Sequence, residues 1–373
     1  MFRTKPKVFD DNVGVAHPKQ GIGPRYALYV DSLTFNQAAY GSQHPLSIAR
    51  TGTVGELTRR LGWLPGTARK VCAPASVSTL CRFHNKDYVL ALQAADRDGK
   101  VSRNFRARYG FGTMENPLFA GVFNRAATTV GGSILAARLS LENRVVFHPA
   151  GGTHHGQPGR ASGFCYFNDP VYAVLTLLNA GTERVLYIDL DAHHGDGVEA
   201  AFEFDHRVHL LSIHEVERWP YTGNPSKNPR ICNLPVVKGC GDRDFERLIA
   251  DVALPFASST EPQAIILTCG ADCLAGDPLS SMNLSNISLW RAVEQFSKLA
   301  PAVVVLGGGG YNPWTLARCW TGLWARLAGF EIPTILPDFA KEILATLKCD
   351  LIDDDDIQDT WLSSIADQPS YNI

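Results

Sequence analysis

Residues 185–191 read Val-Leu-Tyr-Ile-Asp-Leu-Asp, and the chain runs on as Ala-His193-His194-Gly-Asp196-Gly. The β-branched and aromatic content of the first seven residues makes them a strand. So continuous an apolar run belongs in a parallel sheet covered on both faces. The pattern recurs at Arg144–Phe147, Val208–His214, Gln263–Thr268 and Ala302–Leu306, with a shorter candidate at Tyr26–Val30. Helical patterns lie between them at about 242–257 and 285–300, and earlier at 52–62 and 122–139. A further helix, VYAVLTLLNA, is framed by Asp169 as N-cap, Pro170 at the first position and Gly181 as the stop. The expected fold class is therefore α/β, with a central, mostly parallel sheet and helices on both faces. Residues 98–118 mix charge, glycine and proline and read as a long surface loop.

Ligands of open α/β sheets gather at the carboxyl ends of the strands. Those ends share one character here. Arg144–Phe147 leads into His148-Pro-Ala-Gly-Gly-Thr-His154-His155-Gly. Val185–Asp191 leads into Ala-His193-His194-Gly-Asp196-Gly, and the next strand ends at His214-Glu215. The last two lead into Cys269-Gly-Ala-Asp272 and Gly307-Gly-Gly-Gly310-Tyr311. Five strand ends rich in His, Asp, Gly and Tyr point to one active site.

Asp191 and His193, two residues apart at a strand end, project to the same face. Asp272, from another strand end, could close an Asp/His/Asp set with positions left open, as catalytic zinc requires. Its oxygen-rich character also suits Fe(II). An isolated Asp-x-His is more often structural, and it is the neighbouring motifs that change the weight. His154 and His155 read either as a turn with a satisfied core histidine or as a tandem acid/base pair. A working pair needs carboxylates to fix its tautomers, and Asp189 and Asp196 are placed for that. A phosphate loop would carry Lys-Ser/Thr after Gly310, where this chain has Tyr311-Asn312-Pro313, so a nucleotide is disfavoured. A glycine hinge presenting a tyrosine hydroxyl to a developing oxyanion fits better. The segments around Gly163-Phe164 and Trp219-Pro220 are either ordinary core or the walls of an apolar channel.

The 373 residues correspond to two or three domains at roughly 150 residues each. Charged residues are 19% and hydrophobic residues 45%, an ordinary globular balance that excludes disorder of the bulk. With 35 basic and 37 acidic side chains the net charge is −2, which gives no global pull toward nucleic acid or anionic membrane. Apolar runs are far short of the roughly 20 residues that span a bilayer. Met1–Asp10 has no apolar leader region, so a cytoplasmic location is expected. Nine scattered cysteines without a CxxC read as reduced, mostly buried thiols. Asp353–Asp356 reads as a solvated tail or a helix start.

The segments HPAGGTHHGQPGRASGFCYFND, YIDLDAHHGDGVEAAF, CGADCLAGDPLSSMNLS and LGGGGYNPWTLARCWT resemble the zinc-dependent histone deacetylase superfamily. The likeness is to its class I-like bacterial branch, with the acetoin utilization proteins, over about residues 40–330. It implies one arginase–deacetylase domain over 1–373, with a core at about 20–330 and a carboxy-terminal extension at about 331–373. It implies hydrolysis of an acyl-lysine amide, with Zn2+ (or Fe2+) on Asp191, His193 and Asp272. His154 and His155 would be the acid/base pair backed by Asp189 and Asp196, and Tyr311 would polarise the carbonyl. Phe164, Trp219, Gly163, Glu115 and Gly309 would line the channel. Trp219 stands where the family usually has Phe, and Glu115 where class I members have an aspartate at the rim. Arg50, in an HPxxxxR element beginning at His44, would line a product cavity. A structural K+ would sit among Asp189, Asp191, His193, Ser212 and Ile213. Substrates would be an acyl-lysine protein, with acetylpolyamines or other small acyl-amides as the alternative, and no direct nucleic-acid or membrane partner. A binuclear manganese ureohydrolase shares the fold. It wants further carboxylates where this chain has His194-Gly195 and Cys273-Leu274. A silent acyl-lysine-binding module would have lost a ligand or the tyrosine, and all are present.

Overall fold

In a computed structural model of the chain, residues 26–36, 40–41 and 44–368 are described. The amino-terminal stretch Met1–Asp10 lies outside them. The strands are β1 (Ala27–Asp31), β2 (Arg69–Val71), β3 (Val145–His148), β4 (Val185–Asp189), β5 (Val208–Glu215), β6 (Ile231–Val236), β7 (Ala264–Thr268) and β8 (Ala302–Leu306). They form one sheet in the order β2-β1-β3-β8-β7-β4-β5-β6. Every pairing is parallel. The α/β class read from the sequence is the class observed. β2 and β6 escape sequence reading because β2 has three residues, Arg-Lys-Val, and β6 carries a proline, Pro235. Both are edge strands, where short length and proline are tolerated.

Side chains alternate between two cores. Tyr29, Phe147, Ile188, Leu267 and Val305 face one side, with Trp290, Trp320 and Trp324 of the helices Asn286–Ser297 and Pro313–Ala328. Val30, Val146, Tyr187, Ile266 and Val304 face the other, with Ala136 and Val174 of the helices Val122–Ser140 and Asp169–Asn179. Both faces are dry, which is why the strand sequences read as unbroken apolar runs.

Two local expectations are corrected. The helix after β3 is capped by Asn168, whose Oδ1 accepts from Val171 N at 3.3 Å, and not by Asp169. Asp169 turns back to accept from Gly152 N (3.0 Å) and Thr153 N (2.7 Å), so its carboxylate serves the loop before the tandem histidines. The stretch 98–118 holds a helix, Arg103–Tyr109. Ser102 caps it through Phe105 N at 3.2 Å, and burial of Tyr109 against Phe111 anchors it.

The thiols are free, with Cys72, Cys165, Cys240, Cys269, Cys273 and Cys319 buried. Asp354–Asp356 form an exposed 3-10 turn. The carboxy-terminal segment packs on the helix Pro313–Ala328: buried Arg318 meets Asp367 at 2.6 Å and Ser364 O at 2.7 Å. No helix among the described residues is long and apolar enough to cross a membrane.

His84 ties the amino-terminal third to the loop after the tandem histidines. Its Nδ1–H donates to Gln157 O at 3.0 Å and its Nε2 accepts from Asn168 N at 3.0 Å. Asn168 in turn donates to His154 O and Gly156 O at 3.0 Å each. Burial holds the His84 imidazole neutral, down to about 4. A histidine whose folded pKa is depressed loses stability as pH falls from about 6.5 toward the folded value. Between pH 6.5 and 5 the loss is expected to be about 2 kcal/mol. Urea unfolding at pH 7 and pH 5 checks this: the acid loss should shrink in His84→Gln, and an unchanged acid limb contradicts it.

Candidate active site

The five strand ends singled out above are consecutive in space, because β3, β8, β7, β4 and β5 are neighbours in the sheet. Their loops converge on one cleft. At the end of β4, Ile188, Leu190 and Ala192 enter the core, and the alternate residues Asp189, Asp191 and His193 are left to the site.

Ligand atoms of Asp191, His193 and Asp272 all lie within 4.8 Å of one another, and all three residues are buried. His193 Nδ1 is 2.8 Å from Asp272 Oδ2 and 3.3 Å from Asp191 Oδ1. Backbone amides fix both carboxylates: Gly309 N donates to Asp191 Oδ2 at 2.6 Å, and Ala192 N donates to Asp272 Oδ1 at 3.1 Å. Burial opposes a charge on His193, yet Asp191 and Asp272 outweigh it and raise the imidazole to about 10. Burial and the neighbouring Asp191 push Asp272 up. Two buried carboxylates thus converge on one imidazole nitrogen and favour positive charge between them. This donor set fits a divalent zinc-type cation, with two carboxylate oxygens and an imidazole nitrogen on buried residues.

His154 Nδ1–H donates to Asp189 Oδ2 at 2.7 Å, and Tyr187 OH donates to the same oxygen at 2.7 Å. His155 Nδ1–H donates to Asp196 Oδ1 at 2.7 Å, while Gln157 Nε2 donates to Asp196 Oδ2 at 2.9 Å. Each Nδ1–H is committed to a carboxylate, which leaves Nε2 as the acceptor nitrogen of each ring. His154 Nε2 is 3.8 Å from Asp191 Oδ1. The two rings lie 3.9 Å apart, and their environments differ. Burial disfavours charge on His154, but Asp189 and Asp191 prevail and raise it to about 9. Burial and the adjacent His154 drive His155 down to about 3.

The cleft above has a volume of 480 Å³ and is lined by His155, His193, Tyr311, Gly163, Phe164 and Trp219, with Glu115 among the residues at its edge. Phe164 meets Tyr311 edge-on at 5.7 Å, and Trp219 meets His155 at 4.6 Å. Gly163 has φ +53°, and a Cβ there would overlap Trp219 and the His155 ring, so the position requires glycine. Glu115 Oε1 accepts from Gly163 N at 2.6 Å, which pins the rim acid to the channel wall. Gly309 lies against the ligand carboxylates, where a side chain would overlap Asp272. Ser212 stands opposite Asp189 in the β4–β5 pairing, and its Oγ lies 2.8 Å from His214 Nδ1. Ile213 is in the adjoining core.

A second cavity of 690 Å³ shares Phe164 with the cleft and is lined also by Arg50, Arg125, Thr153 and Lys348. Arg50 donates through Nη2 to Gly308 O at 2.5 Å, and its guanidinium lies 5.2 Å from the Trp320 ring centre.

Two supports join the site through backbone groups distant in the chain. His44 Nε2–H donates to Glu115 O at 3.1 Å while its ring abuts Phe164 at 4.7 Å, across 71 residues of chain. Asp277 accepts from Tyr311 N at 2.7 Å.

The fold is thus an α/β sheet whose strand ends gather a buried Asp-His-Asp group able to hold a metal ion. Residues 44–327 match the histone deacetylase domain, and the chain belongs to that family. Among its relatives are histone deacetylase 2 of Oryza sativa subsp. japonica, 35% identical over 310 residues, and human histone deacetylase 1, 34% identical over 332 residues. The first match covers 80% of this chain and 60% of the rice protein; the second covers 85% and 67%. The chain thus spans about 60% of the length of its rice relatives. A crystal structure of a histone deacetylase homologue from Aquifex aeolicus superposes with a TM-score of 0.85 at 32% identity, covering 92% of this chain and 95% of that one. A homologue complexed with SAHA superposes with a TM-score of 0.86 at 32% identity, with the same coverage.

Proposed function

We propose that this chain removes acetyl or other acyl groups from lysine side chains by hydrolysis. The observation that carries the reading is the meeting of His155, His193 and Tyr311 on one narrow cleft with aromatic walls. A Zn2+ ion, or Fe2+, held by Asp191, His193 and Asp272 would supply Lewis acidity toward the amide carbonyl and a water. His155 borders the cleft, so its Nε2 takes the proton of the attacking water, and Asp196 holds its tautomer. His154, behind it, stays tied to Asp189 and keeps positive charge beside the developing anion. The pair returns a proton to the departing lysine amine. The Tyr311 hydroxyl donates to the carbonyl oxygen as negative charge grows there.

Phe164 and Trp219 flank the neutral acyl-lysine methylenes, and Glu115 grips the substrate backbone at the rim. Arg50 supplies a cation to the second cavity, where a carboxylate product would be held. Asp189, Asp191, His193, Ser212 and Ile213 would provide the oxygens of a structural K+ site, on adjoining ends of β4 and β5. The chain works as one domain, supported by the packing of its carboxy-terminal segment on the helix Pro313–Ala328. Its free thiols favour the cytoplasm.

A panel of acetyl-lysine peptides, longer acyl-lysine peptides and acetylpolyamines tests the proposal on zinc- and iron-reconstituted protein. Release of acetate from the lysine peptides at kcat/KM at least about tenfold above the polyamines is expected. The reverse ranking would assign the small-amide substrate, and no turnover of any member would refute the hydrolase.

A further inference from the structure

Tyr311 follows a run of glycines whose backbone does not hold it by itself. Gly308 and Gly310 have φ of +147° and +129°, conformations open to glycine and adopted for the turn. A tyrosine at the end of such a run needs an external anchor if its hydroxyl is to stay on the carbonyl.

The anchor in the structure is Asp277, which is 6% exposed. Its Oδ2 accepts from Tyr311 N at 2.7 Å and from Asn312 N at 3.3 Å, and its Oδ1 accepts from Leu279 N at 2.9 Å. Asn312 completes the tie. Its Nδ2 donates to Gly276 O at 2.9 Å, while its Oδ1 caps the helix Pro313–Ala328 through Trp314 N (3.1 Å) and Thr315 N (3.2 Å). The turn bearing Tyr311 is thereby fastened on both sides to the loop 276–279.

Behind that loop stands the carboxy-terminal segment. A Cβ on Gly276 would be 2.7 Å from Trp361 Cζ2, so the indole lies directly on the backbone next to Asp277. Trp361 stacks on Trp314 at 6.2 Å and 20°, and Trp314 Nε1 donates to Leu344 O at 3.0 Å. Cys349 Sγ is 3.6 Å from Tyr311 O. Leu344, Cys349 and Trp361 all lie past residue 327, where the family domain match ends. We infer that Asp277 is a positioning residue for Tyr311, and that the carboxy-terminal segment acts on catalysis by backing it through Trp361. This rests on the role proposed for the Tyr311 hydroxyl.

The test is a double-mutant cycle. Asp277→Asn preserves shape but puts an NH2 donor where an oxygen accepts; Trp361→Phe trims the backing indole. Each is made alone and together with Tyr311→Phe, and kcat, KM, bound zinc and amide exchange of Tyr311 and Asn312 are measured. Asp277→Asn is expected to lower kcat by about 10- to 100-fold, the scale of a small misplacement. KM should stay within about twofold and zinc content unchanged, because a group used only in the transition state is being displaced. In the Tyr311→Phe background the same change should cost less than about twofold, since coupled groups do not add. Trp361→Phe should show a smaller loss that disappears in the same way, and it carries the test if Asp277→Asn does not fold. Equal fold-losses in both backgrounds, or wild-type kcat in both single variants, would overturn the inference. Amide exchange separates the two ideas. Wild-type turnover in Tyr311→Phe would remove the hydroxyl's role, while exchange at Tyr311 about tenfold faster in Asp277→Asn would still support the anchor and unchanged exchange would refute it.

Discussion

Asp272→Ala is expected to yield a folded protein that retains no stoichiometric metal and no measurable turnover. Asp272 is wholly buried in the loop after β7 and offers one of the three ligand atoms gathered within 4.8 Å. Its removal acts twice. The cation loses one of two carboxylates, and Ala192 N loses its acceptor at 3.1 Å, so the turn carrying His193 is loosened. Removing a residue that only supports a ligand typically weakens metal binding by about 10- to 100-fold, and a ligand itself should cost more. Zinc content after dialysis, measured beside circular dichroism, checks the expectation. A metal-loaded, active Asp272→Ala protein would contradict the ligand set.

Tyr311→Phe is expected to bind metal and substrate normally and to turn over about 100- to 1000-fold more slowly, the scale of losing one oxyanion donor. Tyr311 lies in a cleft wall, with Phe164 edge-on at 5.7 Å to hold the ring, and burial keeps the phenol well above its usual pKa. A neutral phenol can donate where charge develops, and a phenyl ring of the same shape cannot. The loss should fall on kcat with KM little changed. Steady-state kinetics on an acetyl-lysine peptide make the measurement, and near-normal kcat would remove Tyr311 from the mechanism.

Much of this site is written locally. Asp191 and His193 are two residues apart on one strand end, and that alternation places them together without knowledge of the rest of the fold. The buried strands are legible for the same reason, since both faces are dry. Asp272 is harder to place: its approach to Asp191 depends on β7 lying beside β4, an order no local pattern encodes. The pairing of His154 with Asp189 and His155 with Asp196 likewise bridges 35 and 41 residues of chain. Asp169 shows how a local rule misleads. It stands where an N-cap belongs, but Asn168 can cap, which frees the Asp169 carboxylate for the backbone of Gly152 and Thr153. Asp277 and His44 stand within recognisable motifs, but what they hold is not legible there, because each acts on a backbone group distant in the chain. The helix Arg103–Tyr109 was hidden because polar residues mask a cap and a buried tyrosine.

The proposed acyl-lysine hydrolysis requires a single metal ion on the buried Asp191, His193 and Asp272. Titration of zinc into metal-free protein, with acetate release from an acetyl-lysine peptide as the readout, tests it most directly. Activity should be absent without metal and rise linearly to a plateau at one equivalent per chain. A plateau only at two equivalents, or undiminished hydrolysis by the metal-free protein, would contradict it.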